Sequence, residues 1–212
     1  MTRDEAVVQM RRDLGFNSNI DAAILIDALK SAQVSLEREP ELPFFLKSEI
    51  VSFLTVSGRE RIKLPDGFLT LAEDDNLWLF DSTADTPWKE LPKADYDALR
   101  RKHAASDDAE PEAYSLDNLY FRLFPTPDAI YTLKMTYMKA DDVLDTNVEN
   151  KWLEFFPTLM ISLGVKRVSK ATRDRDAYQL AQADETVERA RLRTFIIARE
   201  TTNYTYQMGG AH

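Results

Sequence analysis

The most constraining stretch of this sequence is residues 119–138, LYFRLFPTPDAIYTLKMTYM, where apolar and aromatic residues alternate on both sides of a proline-bearing turn. On the first arm Leu119, Phe121 and Leu123 alternate with Tyr120, Arg122 and Phe124. On the second, Tyr131, Leu133, Met135 and Tyr137 alternate with Ile130, Thr132, Lys134 and Thr136. Successive side chains of a strand point to opposite faces, so this period predicts two strands, each with one wholly apolar or aromatic face. Pro127-Asp128 suits the centre of a type I turn, because proline pre-sets φ and aspartate can bond its own backbone. Pro125 and Pro127 have no N–H to give to a ladder and mark where pairing stops. The reading is a β-hairpin covering a hydrophobic core, with no group suited to catalysis.

The chain around it has 212 residues, 44% of them apolar, enough to bury a sizeable core and too many for global disorder. It has no cysteine, which excludes disulfides, thiolate metal sites and a thiol nucleophile, and fits synthesis in a reducing compartment. The start, MTRDEAVVQMRRD, holds no apolar run of signal-peptide length. No stretch approaches the ~20 apolar residues of a membrane span, so no membrane partner is expected. Acidic residues outnumber basic ones 36 to 27, a net charge of −9, which argues against specific nucleic-acid binding.

Thr2-Arg3-Asp4-Glu5 has the spacing of a capping box, and the helix it opens should close at Gly15. Ser18 or Asn19 can cap a longer helix to about Arg38, with a stripe of Ala22, Leu25, Leu29, Ala32 and Leu36 widened by Ile24 and Ala28. Asp21, Asp27, Lys30 and Glu37 fall outside that stripe, and Pro40 and Pro43 end the helix. An apolar knot, Phe44-Phe45-Leu46, follows. Ile50, Phe53 and Val56 then lie in an expected strand, with Arg59 to Leu64 as its partner strand, and residues 77–80 form a short apolar strand. Asp95 lies in the opening of a short helix to about His103, with Tyr96 and Leu99 inward, and residues 104–112 read as an acidic loop.

Thr146-Asn147-Val148-Glu149 reads as a second capping box, launching a helix with Trp152, Leu153 and Phe156 that Pro157 must kink or restart. Its continuation to about Lys170 is apolar nearly all round and is expected to be the most buried helix. A last helix from about Arg173 to Arg199 carries a seam of mostly small residues, Leu180, Ala183, Val187, Ala190, Thr194 and Ile197. Such a seam lets another helix approach closely, from the same subunit or from a neighbouring copy. Residues 201–212 show no periodicity. Thr201, Asn203, Tyr204, Tyr206 and Met208 read either as a frayed end or as an arm that docks on a partner.

Little in the chain suggests chemistry. His103 and His212 are the only histidines, and no carboxylate–histidine spacing of a metal site or triad exists. No glycine-rich phosphate loop is present. The Asp pairs at 74–75, 107–108 and 141–142 lack the alternating ligand spacing of a calcium loop, and Arg173-Asp174-Arg175-Asp176 reads as a wet helix face. No enzyme activity and no cofactor are expected.

Three stretches in this order carry a resemblance: the apolar knot and strand before LPDGFLTL (residues 64–71), the hairpin with its Pro-x-Pro followed by Tyr131, Leu133 and Tyr137, and the capped tryptophan helix DTNVENKWLEFFPTLMISLG (residues 145–164). With them the chain resembles the head-to-tail adaptor, or connector, proteins of tailed bacteriophages over nearly its whole length. It departs from them at Ile161-Ser162-Leu163-Gly164, where the resemblance implies a more alanine-rich run.

The resemblance implies an α+β fold: a helical bundle from the N- and C-terminal helices (3–38 and 147–199), an intervening antiparallel β-rich part at about 48–138, and an extended C-terminal arm. It implies one adaptor domain at 1–200 and a flexible arm at 201–212. Further, it implies a homo-oligomeric ring of many copies, dodecameric, in the virion neck beneath the portal protein, made in the host cytoplasm. Tail or nozzle proteins would bind on the other side, genomic DNA would pass through, and the arm would embrace the portal. The rival from another class is a small-molecule-binding or hydrolytic protein using the hairpin's aromatics as a pocket wall.

Overall fold

The computed structural model describes residues 1–15, 20–48, 50–72, 77–80, 87–103, 108–145 and 149–208. In chain order the helices are α1 (Arg3–Asp13), α2 (Ala22–Leu36), α3 (Tyr96–Lys102), α4 (Lys151–Phe155), α5 (Pro157–Thr172) and α6 (Arg175–Met208). The strands are β1 (Val51–Leu54), β2 (Arg61–Lys63), β3 (Phe68–Leu71), β4 (Leu77–Phe80), β5 (Pro87–Leu91), β6 (Ala113–Asp117), β7 (Tyr120–Phe124), β8 (Thr132–Met135) and β9 (Tyr137–Lys139). The fold is α+β. One unit, Met1–Leu46 with Ala140–His212, is a bundle of N- and C-terminal helices; the other, Lys47–Lys139, holds the strands and α3.

In the β-rich unit every ladder is antiparallel, in the orders β1-β8-β4-β5, β2-β7-β6 and β3-β9. The two arms of residues 119–138 were expected to pair with each other, and they do not. β7 pairs with β2 and β6, β8 with β1 and β4, and β9 with β3. The connection at 125–131 is far longer than a two-residue hairpin turn. Its backbone is taken by other segments: the Pro127 carbonyl accepts from Gly58 N–H and the Thr126 carbonyl from Ala109 N–H, both at 2.8 Å. Asp128 accepts the Tyr131 hydroxyl at 2.7 Å, and that bond pushes the phenol up to about 12.

The expected partnership of β1 with the RERIKL strand fails in the same way, since those two strands lie in different sheets. Alternation identifies which face of a strand is buried, and here it does so correctly. Phe121, Leu123, Leu133, Met135 and Tyr137 join Leu77, Leu79, Leu91 and Tyr114 in one core, although Leu119 is left exposed. Alternation is silent on which strand lies alongside. Arg122 fastens α3 to this unit: its guanidinium donates to Asp117, Glu60 and the Tyr96 hydroxyl and stacks 4.5 Å over the Tyr96 ring.

The helical unit begins with the expected capping box, in which Glu5 N–H donates to Thr2 Oγ1 at 3.2 Å and Thr2 N–H to Glu5 Oε2 at 2.8 Å. Gly15, at φ +66, follows the helix end. α2 is capped by Asp21, which accepts from Ala23 N–H at 2.9 Å; Ser18 and Asn19 lie outside the described residues. Leu25, Ala28, Leu29, Ala32 and Leu36 are buried as expected, but Ile24 points outward.

Pro157 restarts the helix at the first turn of α5, where its missing N–H costs nothing. α5 is buried along most of its length and packs on α1, α2, α4 and α6. Gly164 explains the departure from an alanine-rich run. A Cβ there would stand 2.7 Å from Met10 Cε, while Leu29 Cδ2 at 3.5 Å would be in ordinary contact, so the glycine makes room for the end of the Met10 side chain of α1. At the C-terminal end, α6 continues its helical backbone to Met208 rather than stopping at Arg199. No glycine or proline interrupts the sequence before Gly209-Gly210.

A buried polar network holds the helices in register, and it is built on a residue expected outside the core. Glu37 is only 8% exposed. Its Oε1 accepts from Gln33 Nε2 at 2.9 Å, Asp141 N–H at 3.0 Å and Trp152 Nε1 at 3.3 Å. Asp141 in turn accepts the first amides of α4, from Lys151 and Trp152. Asn150 caps the same helix from Leu153 N–H at 3.0 Å and donates to Gln33 and to the Asp142 carbonyl. The expected capping box falls largely on residues 146–148, outside the described residues.

Burial raises the Glu37 carboxyl above its usual value, only partly offset by the three hydrogen bonds. The folded chain therefore holds this proton more tightly than the unfolded chain. That contribution to stability is full below the unfolded carboxylate value and is lost as pH rises through the folded one. Glu37→Gln keeps the acceptor oxygen without the charge. Its stability relative to the parent should rise with pH across that window in denaturant melts, and parallel profiles would refute the assignment. Glu37→Leu, which strands the donors, should cost ~1–3 kcal/mol below the unfolded carboxylate value and less as pH rises through the folded one.

Candidate functional site

α6 is a helix with two different faces. Asp174 opens it, accepting from Ala177 N–H at 3.1 Å, after Arg173 has turned the chain in the left-handed conformation at φ 62. The inner face is Ala177, Ala181, Glu185, Glu188 and Leu192, all buried, with half-buried Phe195 beyond them. The alanines allow close approach to α5.

The two buried glutamates are tolerated because they are paired. Glu185 accepts Lys166 Nζ at 2.6 Å and Arg189 Nε at 2.8 Å, and Arg189 also reaches Glu39 at 2.6 Å. Burial acts to raise the Glu185 carboxyl, but those cationic hydrogen bonds outweigh it and hold it below the usual range. Glu188 pairs with Arg191 one turn on. Further along, the Phe195 ring meets Phe44 at 5.1 Å and Phe156 at 5.2 Å, in a cluster that includes Phe45, Trp152 and Phe155.

The seam read from the sequence is the other face. Leu180, Ala183, Val187, Ala190, Thr194 and Ile197 are all exposed, with Leu180 at 69%, Val187 at 54% and Ile197 at 60%. Among the described residues no other helix covers Leu180, Ala183, Val187, Ala190 or Thr194. The inner stripe was harder to see because Glu185 and Glu188 interrupt it, and only their ion-pair partners reveal that it is buried. Part of the seam lines an apolar groove of about 610 Å³ formed by Val187, Ala190, Arg191, Thr194, Phe195 and Ala198. Aliphatic side chains that share one helix face in this way are compatible with an interaction site.

The other candidates are dispersed. For Thr201, Asn203, Tyr204, Tyr206 and Met208 the structure describes the backbone alone, as the end of α6. His103 follows α3 beside the Phe124 ring, whereas His212, Asp74, Asp75 and Asp107 lie outside the described residues. Among the described residues no three His, Asp or Glu side chains gather as metal ligands, and no helix is long and apolar enough to cross a membrane. Of the hairpin's aromatics offered as a pocket wall, Phe121, Phe124 and Tyr137 are buried, Tyr131 is half-buried and Tyr120 is exposed.

The family model described as the SU10 adaptor protein matches residues 1–209 of the chain. No curated protein matches it.

The two faces of α6 should answer differently to the same substitution. Ala181→Leu enlarges a buried contact and should lower stability by ~1–3 kcal/mol. Ala183→Leu and Ala190→Leu should change it by no more than ~0.5 kcal/mol, as for other exposed sites. Thermal melts of the three variants decide this, and a large loss at Ala183 or Ala190 would mean that the seam is packed within the chain.

Proposed function

The chain belongs to the SU10 adaptor protein family, a phage head-to-tail adaptor family, and on that premise we propose that it forms a homo-oligomeric ring in the virion neck, joining the portal to the tail. The observation that carries the reading is the exposed stripe on α6: Leu180 and Val187, with the small Ala183 and Ala190 between and beside them, leave a largely apolar helix face in water that burial against another copy would remove. The ring has many copies, dodecameric as the resemblance implies, with tail or nozzle proteins below it and genomic DNA passing through. The last turns of α6 and the residues after them, with Tyr204 and Tyr206, form the portal-docking arm. Tyrosine suits that role because it brings large contact area at low entropic cost.

A ring that DNA slides through must not hold it. Tight binding needs several Lys or Arg on phosphates, whereas this chain has 36 acidic against 27 basic residues. The channel face of the ring is therefore net negative, repelling DNA only at short range because charge is screened over ~8 Å at physiological salt.

Light scattering across a concentration series, with and without the portal of the same phage, tests the assembly. Higher-order species should appear in the full chain. A chain stopped after Arg199 should keep its melting temperature, since Phe195 and the rings it is described to meet remain, and should lose portal binding; unchanged binding would remove the arm from the interface. In fluorescence anisotropy with duplex DNA at ~150 mM salt, neither monomer nor ring should bind at micromolar concentration. Micromolar affinity with a steep salt slope would overturn the passive channel.

A further inference from the structure

The exposed face of α6 has a counterpart on α2. The outward side of α2 carries Ile24, Asp27, Ser31 and Val34 at three–four spacing, continued by Arg38 just past its end. Ile24 and Val34 are 53% and 45% exposed, and nothing in their own helix's stripe requires them to be apolar.

α2 and α6 meet different faces of α5 around Gly164 and Lys166, and come together where Arg189 pairs with Glu39, just past the end of α2. Gly164 of α5 abuts Leu29 of α2, while Lys166, two residues on and so about 200° round the helix, reaches Glu185 of α6. A contact joining two different surfaces of one subunit is head-to-tail: each copy offers one surface forward and the other back, and the series closes into a ring when the rotation between copies closes.

We propose that the exposed stripe of α6 seats on the outward face of α2 of the neighbouring copy, with the two helices antiparallel. This rests on the ring reading above and adds which surfaces meet. The direction follows from charge. α6 carries Asp176 and Asp184 toward its N-terminal end and Arg191 and Arg193 further on. α2 runs in the same sense, from Asp21 and Asp27 to Lys30 and Arg38. Parallel helices would set like charges together, whereas antiparallel ones pair each acidic half with a basic half.

The register follows from rise. Ile24 and Val34 are separated by about 15 Å along α2, close to the separation of Thr194 and Ala183 along α6 at ~1.5 Å per residue. Ile24 then enters the groove of Val187, Ala190 and Thr194, and Val34 lies over Ala183. Asp27 comes within reach of Arg191, whose side chain is still 69% exposed beside Glu188, and Arg38 within reach of Asp176. Ala183, Ala190 and Ser31 are small enough to let the helices approach.

The absence of cysteine gives a clean background for cross-linking in the full chain. With Val34→Cys and Ala183→Cys together, mild oxidation under assembling conditions should give a ladder of covalent multimers, and neither single variant should cross-link. Arg38→Asp or Asp176→Arg alone should weaken assembly by roughly three- to tenfold, and the two together should restore it. Dimers from Ala183→Cys alone would mean that α6 meets α6 and would overturn the proposal. Assembly by light scattering with neither the cross-link nor the rescue would also overturn it, while leaving the ring reading intact. A chain that stays monomeric at every concentration and with the portal removes the ring reading and this inference with it.

Discussion

The helical unit depends on how Trp152 is buried. Its ring packs edge-on against Phe45 at 5.1 Å, while its indole N–H donates to Glu37, 115 residues earlier in the chain. α4 has only five residues and would not persist alone, because so short a helix cannot offset the cost of its own nucleation. It exists because Trp152 and Leu153 are buried from one side while Asn150 and Asp141 cap it from the other. That arrangement fixes where α5 starts, and so where the surface for α6 lies.

Polar groups inside this unit have a consistent logic. Glu37, Gln33 and Asn150 form a network of mutually oriented donors and acceptors, and Glu185 sits between Lys166 and Arg189. Such groups add little net stability compared with apolar side chains of the same shape, since desolvation offsets much of their attraction. What they supply is a requirement for one geometry: a helix that slid by a turn would strand each of them. Gly164 leaves room for Met10, whose Cε would stand 2.7 Å from a Cβ there.

α6 puts two chemistries on one long helix. Its inner face reaches α5 through alanines and satisfied carboxylates, and its outer face leaves aliphatic side chains in water. For a protein that works alone this would be a liability, favouring aggregation. For a member of an adaptor family it is compatible with a subunit that folds first and completes its burial on assembly, so stability of the chain and stability of the assembly can be set by different residues.

Local patterns in the sequence determined the Thr2–Glu5 capping box, the stop at Gly15, the restart at Pro157 and the buried faces of Phe121–Leu123 and Leu133–Tyr137, because each rests on spacing within a few residues, whereas the α+β class came from the resemblance that the motifs carry. The three motifs in order also placed the chain in its family. Only the tertiary structure decided that β7 and β8 join different sheets, since pairing is chosen by segments such as β2 and β4 that lie some 50 residues or more away. It also decided that Glu37, Glu185 and Glu188 are inside, as a carboxylate enters a core only when remote donors meet it. And it decided that, of the two small-residue stripes on α6, the one broken by glutamates is buried while the unbroken one faces water.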